Sequence, residues 1–208
     1  MIVKVCGFRD PDEARHAAAL GATHVGAVLW PGSKRAASED QARAVFAAAR
    51  SEGAVGVAVL VDDPDPVALA ARIGADVVQL HGAETLQTGA ALRAAGVPFW
   101  RALRGSWDAA ALWTTAGAEQ LLLDAYLPGV PGGTGARVDD ALVGAAPLPF
   151  VLAGGLTPAN VPAAVALSPA IRGVDVASGV EAAPGRKDPA LVASFLTAAR
   201  AALRLETP

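Results

Sequence analysis

The stretch "IVKVCGFRDPDEARHAAALG", residues 2–21, decides the fold. Its opening IVKVC (2–6) reads as a short strand of largely β-branched residues. Asp10 then stands as an N-cap with Pro11 at the first helical position, and Gly21 stops the helix that follows. The result is one strand–helix unit, and the unit recurs along the chain. Further strand-like runs are HVGAVL (24–29), VGVAVL (55–60), DVVQL (76–80), PFWRAL (98–103), QLLLD (120–124), PFVLAG (149–154) and RGVDVA (172–177). Helical stretches lie between them. Ser38 with Gln41 three residues on is a capping-box pattern, and Thr157–Pro158 repeats the device of Asp10–Pro11. The last helix, near 188–203, carries Leu191, Phe195, Ala198 and Ala202 on one face. Repeated alternation with no linker predicts an α/β fold, a closed (β/α)8 TIM barrel formed as a single domain by residues 1–208. An open doubly wound sheet is the alternative that the same alternation allows.

A barrel gives these strands a direction. Its active site forms at the C-terminal ends of the strands, and side chains alternate between the interior and the helices. Val3 and Val5 suit the helix-facing layer, which turns Lys4 and Cys6 inward with Cys6 at the catalytic end. By the same count Gln79 and His81 point inward at the end of the fourth strand, and Asp124 ends the sixth below the Leu121–Leu123 run. Asp175 points inward on the eighth strand, beside the first in a closed ring. It is expected to pair with Lys4, because an unpaired ammonium inside a barrel is costly.

Composition narrows the classes of function. The chain has 208 residues, 53% of them hydrophobic, enough for a sizeable core. No window is long and apolar enough to suggest a membrane span, and the first residues do not resemble a signal peptide. A net charge of −3 with interspersed signs offers no basic patch for nucleic acid. The single cysteine cannot form an internal disulfide, which fits a reducing, cytoplasmic setting. Oligomeric state is open: the alanine-rich outer faces suit either a monomer's core or a homodimer interface.

The late glycines carry the phosphate signal. AGGLTPAN follows the seventh strand with Gly154 and Gly155, and ASGVE follows the eighth with Ser178 and Gly179. Backbone N–H groups at such turns bind phosphate, and barrels often place that site after their last two strands. Each pair could instead serve only a tight turn. PGVPGGTG (128–135) lacks the Lys-Ser/Thr of a nucleotide loop; it reads as a loop covering the site or as a plain connection. Arg35, after the second strand, could pair with a substrate anion or simply be solvated. Three histidines, His16, His24 and His81, carry no metal-binding spacing, so no metal is expected. His81 reads as a site residue or as a hydrogen-bonded structural histidine.

Five motifs then resemble one family in order from the first strand to the last helix. VKVCGF at the first strand, VQLHG (78–82), LLLDA followed by GGTG, LAGGLTPANV (152–161) and GVDVASGVEAAPGRKD (173–188) are similar to phosphoribosylanthranilate isomerase, an enzyme of tryptophan biosynthesis. The resemblance implies a barrel of the ribulose-phosphate-binding type and a cofactor-free Amadori rearrangement of a small phosphorylated substrate. It implies Cys6 as the general base and Asp124 as the general acid. Arg35 would meet the anthranilate carboxylate or a neighbouring group with His81 close by. Gln79, Asp175, Gly133 and Gly135 would also bind the substrate, and the loops carrying Gly154, Gly155, Ser178 and Gly179 would hold its phosphate. Two departures stand out: Ala177 replaces a common serine, and Val138-Asp139-Asp140 stands where an aromatic-containing segment is usual.

The implied roles carry expectations about ionisation. A free thiol near pKa ~8.5 is only a few per cent ionised at neutral pH, and Lys4 would lower it if close enough. A free carboxyl is protonated to roughly one part in a thousand, so burial beside leucines should raise Asp124. A sister aminoaldose isomerase would be expected to use an aspartate in place of Cys6. An indole-forming synthase would want a lysine at the rim, and Lys4 lies too deep. A silent phosphosugar-binding barrel would have no need of both Cys6 and Asp124.

Overall fold

The opening run forms β1 (Ile2–Cys6), and Asp10 caps α1 (Pro11–Ala19) by accepting from the Asp12 and Glu13 backbone N–H groups. In this computed structural model, which describes residues 1–125 and 137–204, the unit repeats around a closed ring. It continues through β2 (His24–Val28), α2 (Glu39–Ser51), β3 (Val55–Leu60), α3 (Pro66–Ile73), β4 (Val77–Leu80) and α4 (Leu86–Ala94). Then come β5 (Phe99–Arg104), α5 (Ala110–Ala116), β6 (Gln120–Asp124), α6 (Asp140–Gly144), β7 (Phe150–Leu152), α7 (Val161–Val165) and β8 (Ile171–Val176). A small antiparallel ribbon, β9 (Glu181–Ala183) and β10 (Arg186–Lys187), precedes α8 (Pro189–Arg204). Each barrel strand lies parallel to its sequence neighbours, and β1 closes the ring against β8 with Lys4 opposite Asp175. Closure rules out the open sheet.

Local chemistry sets most boundaries where expected. Ser38 accepts from Gln41 N–H at 3.2 Å while Gln41 Oε1 accepts from Ser38 N–H at 2.9 Å, a complete capping box for α2. Two expectations need refining. Thr157 caps one turn ahead of α7: it exchanges bonds with Asn160 (2.8 and 3.3 Å) in the capping-box pattern, its carbonyl accepts from Val161 N–H at 3.1 Å, and the regular helix begins at Val161. Asn160 is tied further to the Gly155 carbonyl at 2.9 Å. On α8 the buried face is Val192, Phe195, Leu196 and Ala199, whereas Leu191 is 38% exposed. Phe195 and Ala202 are buried and Ala198 packs against the core as expected, so of the expected face only Leu191 turns outward.

Two cores result from the strand alternation. Val3, Val5 and Val25 pack outward against Ala14, Ala17, Val45 and Phe46 of α1 and α2. Inside the barrel, Val57, Val77 and Trp100 fill one layer, and Ala102, Leu122, Val151 and Ala153 form a second cluster. His24 sits at the N-terminal end of β2, bonded to Thr23 Oγ1 at 2.8 Å and tilted against Trp100. Burial, reinforced by Lys4, lowers its pKa to about 4, so it is a neutral structural residue. His16 is exposed on α1.

Lys4 is wholly buried, and its Nζ meets Asp175 Oδ2 at 2.8 Å, as alternation predicted. Burial opposes the ammonium, but Asp175 and Cys6 together outweigh it and the Lys4 pKa is raised. Removing one member of such a pair leaves the other charge stranded, which costs about 3–5 kcal/mol. Lys4→Met is therefore expected to lower unfolding stability by about that amount. Lys4→Met/Asp175→Asn should recover much of the loss. Urea titration of the three proteins checks this, and additive losses would contradict it.

Candidate active site

Cys6 ends β1, with its thiol turned into the barrel mouth above the Lys4–Asp175 pair. The facing residue on β2 is Gly26, and a methyl group there would lie 2.6 Å from Cys6 Sγ, so only glycine leaves the sulfur its space. Burial pushes the thiol pKa up, against the pull of Lys4. Lys4 does pull it down as expected, but burial, helped by the Asp175 charge, outweighs that pull. The thiol is 6% exposed, and the ammonium beneath it is already committed to Asp175.

Asp124 ends β6 and is buried, as the Leu121–Leu123 run implied. Its Oδ1 accepts from the Ala125 N–H at 2.8 Å, and its Oδ2 lies 3.1 Å from His81 Nε2. His81 Nδ1 in turn lies 2.9 Å from Gln79 Nε2. The sequence placed all three inward but did not reveal this chain of contacts. With the Gln79 amide donating to Nδ1, the imidazole presents its Nε2–H to the carboxylate. Such a donor aims one carboxyl oxygen and leaves a polar path for a proton.

The glycine loops do more than turn. Gly154 has φ +80, and a methyl group there would meet Asp124 Oδ1 at 3.0 Å and Ala125 N at 2.9 Å. That glycine therefore lets the loop after β7 lie directly against the aspartate. A methyl group at Gly179 would come within 1.8 Å of the Leu156 carbonyl, so the loops after β7 and β8 pack backbone to backbone. Ser178 opens a short 3-10 turn, Ser178–Val180, at the end of β8. Together the two loops bring Gly154, Gly155, Ser178 and Gly179 to the catalytic end of adjacent strands. Gly133 and Gly135, with the rest of PGVPGGTG, lie outside the described residues.

Arg35 reaches the same rim but is not merely solvated. Its Nε and Nη2 donate to the two oxygens of Glu181, each at 2.7 Å. Lys187 Nζ donates to Glu181 Oε1 at 2.9 Å and to the Ala177 carbonyl at 3.1 Å, beside the Phe8 ring. Burial works against the Glu181 carboxylate, yet Arg35 and Lys187 hold its pKa below the usual range. Neither Glu181 nor Lys187 had been singled out, although both lie inside the quoted segment 173–188. Their signal was a carboxylate and an ammonium flanking a glycine turn. The contact at Ala177 uses its main-chain carbonyl, which any residue supplies, and Asp139 caps α6 through the Ala141 N–H. Both departures from the family pattern thus have local roles.

A hollow at the opposite end of the barrel, lined by Met1, Gln120, Leu148, Ile171 and Leu203, lies at strand starts and away from these groups. The chemistry gathers at the other rim, where a thiol and a carboxyl enter the mouth from β1 and β6.

Comparison with known proteins agrees with this geometry. A family model described as N-(5'phosphoribosyl)anthranilate (PRA) isomerase matches residues 3–198. The N-(5'-phosphoribosyl)anthranilate isomerase of Chromohalobacter salexigens is 43% identical over 201 residues, covering 94% of this chain and 92% of that one. The crystal structure of the isomerase from Thermus thermophilus superposes with a TM-score of 0.84 at 32% identity, covering 97% of this chain and 99% of the other. A further isomerase structure, solved with reduced 1-(o-carboxyphenylamino)-1-deoxyribulose 5-phosphate, has a TM-score of 0.78 at 29% identity, covering 97% and 100%. The chain belongs to the phosphoribosylanthranilate isomerase family, the aldose–ketose isomerases that act on a phosphorylated aminoribose in tryptophan biosynthesis.

Proposed function

We propose that Asp124 is the general acid and Cys6 the general base of this isomerisation. The observation that carries the reading is their joint placement: both are buried at the C-terminal ends of inward-facing strands, and Asp124 is aimed by His81. Asp124 gives its proton to the furanose ring oxygen of N-(5'-phosphoribosyl)anthranilate. The C1'–O bond breaks as the anthranilate nitrogen lone pair forms the C1'=N Schiff base. The Cys6 thiolate then takes the C2' proton, and the electron pair of that C–H bond moves to give an enolamine. Loss of the O2' proton and protonation at C1' yield the ketone, 1-(o-carboxyphenylamino)-1-deoxyribulose 5-phosphate. No atoms are gained or lost.

Arg35 serves the anthranilate carboxylate, with Glu181 fixing the plane of its guanidinium. Turn N–H groups around Gly155, Ser178 and Gly179 serve the phosphate. The ends of β7 and β8 support that assignment, because exposed backbone donors at such turns suit a dianion. Asp175 supports the site from below as the partner of Lys4. A reduced thiol is needed throughout, which supports work in the cytoplasm. Every described candidate residue comes from one barrel, so a monomer and a homodimer would both present the same group of residues.

The test is the loss of phosphoribosylanthranilate fluorescence on adding purified protein. Rapid loss, with the aminodeoxyribulose phosphate as product, is expected. A folded protein that binds the substrate without turning it over would overturn the acid–base reading.

A further inference from the structure

The peptide groups on both sides of Gly82, the residue that follows His81, are held by a buried ion pair. His81 N–H donates to the Leu60 carbonyl at 2.9 Å, as a strand residue would. The next N–H, that of Gly82, donates to both Glu84 oxygens at 3.0 and 2.9 Å. The Gly82 carbonyl accepts from Arg101 Nη2 at 2.9 Å and from Arg104 Nη2 at 3.4 Å. Arg101 Nη1 closes the loop by pairing directly with Glu84 Oε2. Glu84 also accepts from the Asp62 N–H at 3.0 Å, which ties the loop after β3 to the same carboxylate.

Stability alone accounts poorly for this arrangement. The Glu84 side chain is 3% exposed and that of Arg101 11%, so both charges are largely desolvated. Burial holds the Arg101 pKa down despite Glu84, and Arg101 Nε has no partner among the described residues. A buried ion pair is often no more stabilising than apolar residues of the same volume, and an unsatisfied donor adds to its cost. What the pair does supply is direction. The carboxylate takes the Gly82 N–H, the guanidinium takes the Gly82 C=O, and stacking over Trp113 at 4.6 Å keeps Arg101 in plane. With the following peptide clamped and its own N–H bound to the Leu60 carbonyl, His81 is placed so that its ring spans Gln79 and Asp124.

We propose that Glu84 and Arg101 are positioning residues for the isomerisation: they clamp the β4–α4 turn so that His81 meets Asp124 in the geometry proton delivery requires. The inference rests on Asp124 being the acid. A small misplacement of a reacting group can cost up to about 100-fold in rate. Arg101→Met is therefore expected to lower kcat by about 10- to 100-fold with KM changed less than about 2-fold. Arg101→Lys, which keeps one donor for the Gly82 carbonyl, should restore part of the rate. In a His81→Asn background Arg101→Met should cause no further fall, because the clamp would have nothing left to aim. If Arg101→Met fails to fold, Glu84→Gln removes the charge but keeps an acceptor, and the same measurements apply to it. Unchanged kcat in a folded variant, an effect confined to KM, or a full multiplicative loss in the His81→Asn background would each overturn the clamp. Asp124→Asn separates the two readings. An active Asp124→Asn enzyme sinks the acid and the clamp together, whereas an inactive one beside a fully active Arg101→Met sinks the clamp alone.

Discussion

Asp124→Asn is expected to lower kcat by about 10³-fold while the barrel stays folded. A positioned general acid contributes roughly 10²–10⁴. The upper part of that range applies because the ring oxygen of a sugar is a poor leaving group until protonated. Asparagine keeps an acceptor for the Ala125 N–H at 2.8 Å, while its amide nitrogen faces the His81 Nε2–H, so the imidazole must change tautomer or give up that contact. What asparagine lacks is the proton. The loss should therefore fall on kcat and kcat/KM together, the signature of an interaction made in the transition state. Steady-state kinetics of the folded variant decide the matter. A loss below about fivefold would leave His81 or a water as the acid, well under what a positioned acid supplies.

Cys6→Ser is expected to cost at least as much, about 10³–10⁴ in kcat. The exchange preserves the fit against Gly26, where there is no room for a larger side chain, but a hydroxyl ionises far less readily than a thiol. The pH profile gives a second check, and its sign follows from the two roles. The reactive form needs Asp124 protonated and Cys6 deprotonated, and a carboxyl ordinarily titrates far below a thiol. Between the two pKa values the population of that form is level, since each rise in pH gains thiolate as fast as it loses carboxylic acid. Above the thiol pKa only the loss remains, and kcat/KM falls. Because burial raises Cys6 above its ordinary value, this alkaline limb of the free enzyme is expected above the usual thiol range. Thiolate ultraviolet absorbance should titrate over the same range. A limb and a thiolate transition near neutrality would mean that Lys4 and Lys187 outweigh burial.

Much of this was legible in the chain itself. Three strands, 2–6, 55–60 and 120–124, run as the sequence predicted. Cap chemistry is local, so Asp10 and Ser38 start their helices from neighbours within a few residues. The inward placement of Cys6, Gln79, His81 and Asp124 followed from a period of two, which no distant contact can alter without a slip in register. The misreadings have physical causes as well. The turn that Thr157 caps runs ahead of the regular part of α7, and Leu191 turns outward because α8 packs through Val192, Phe195, Leu196 and Ala199. The sign of the Cys6 shift could not be read locally, because it weighs burial by the whole barrel against a lysine whose charge Asp175 already shares.

Residue order by itself thus determined the alternation of strand and helix, the face each strand side chain would take, and the motifs that mark the family. These depend on spacing along one segment. Only the tertiary structure decided which of the inward groups would touch: His81 with Asp124, Arg35 with Glu181, and Arg101 with the peptide that follows His81. Those partners lie 43, 146 and 19 residues apart, and nothing local distinguishes them from other charged residues. Their meeting is set by closure of the ring and the register of its strands, which exist only once the whole chain has folded.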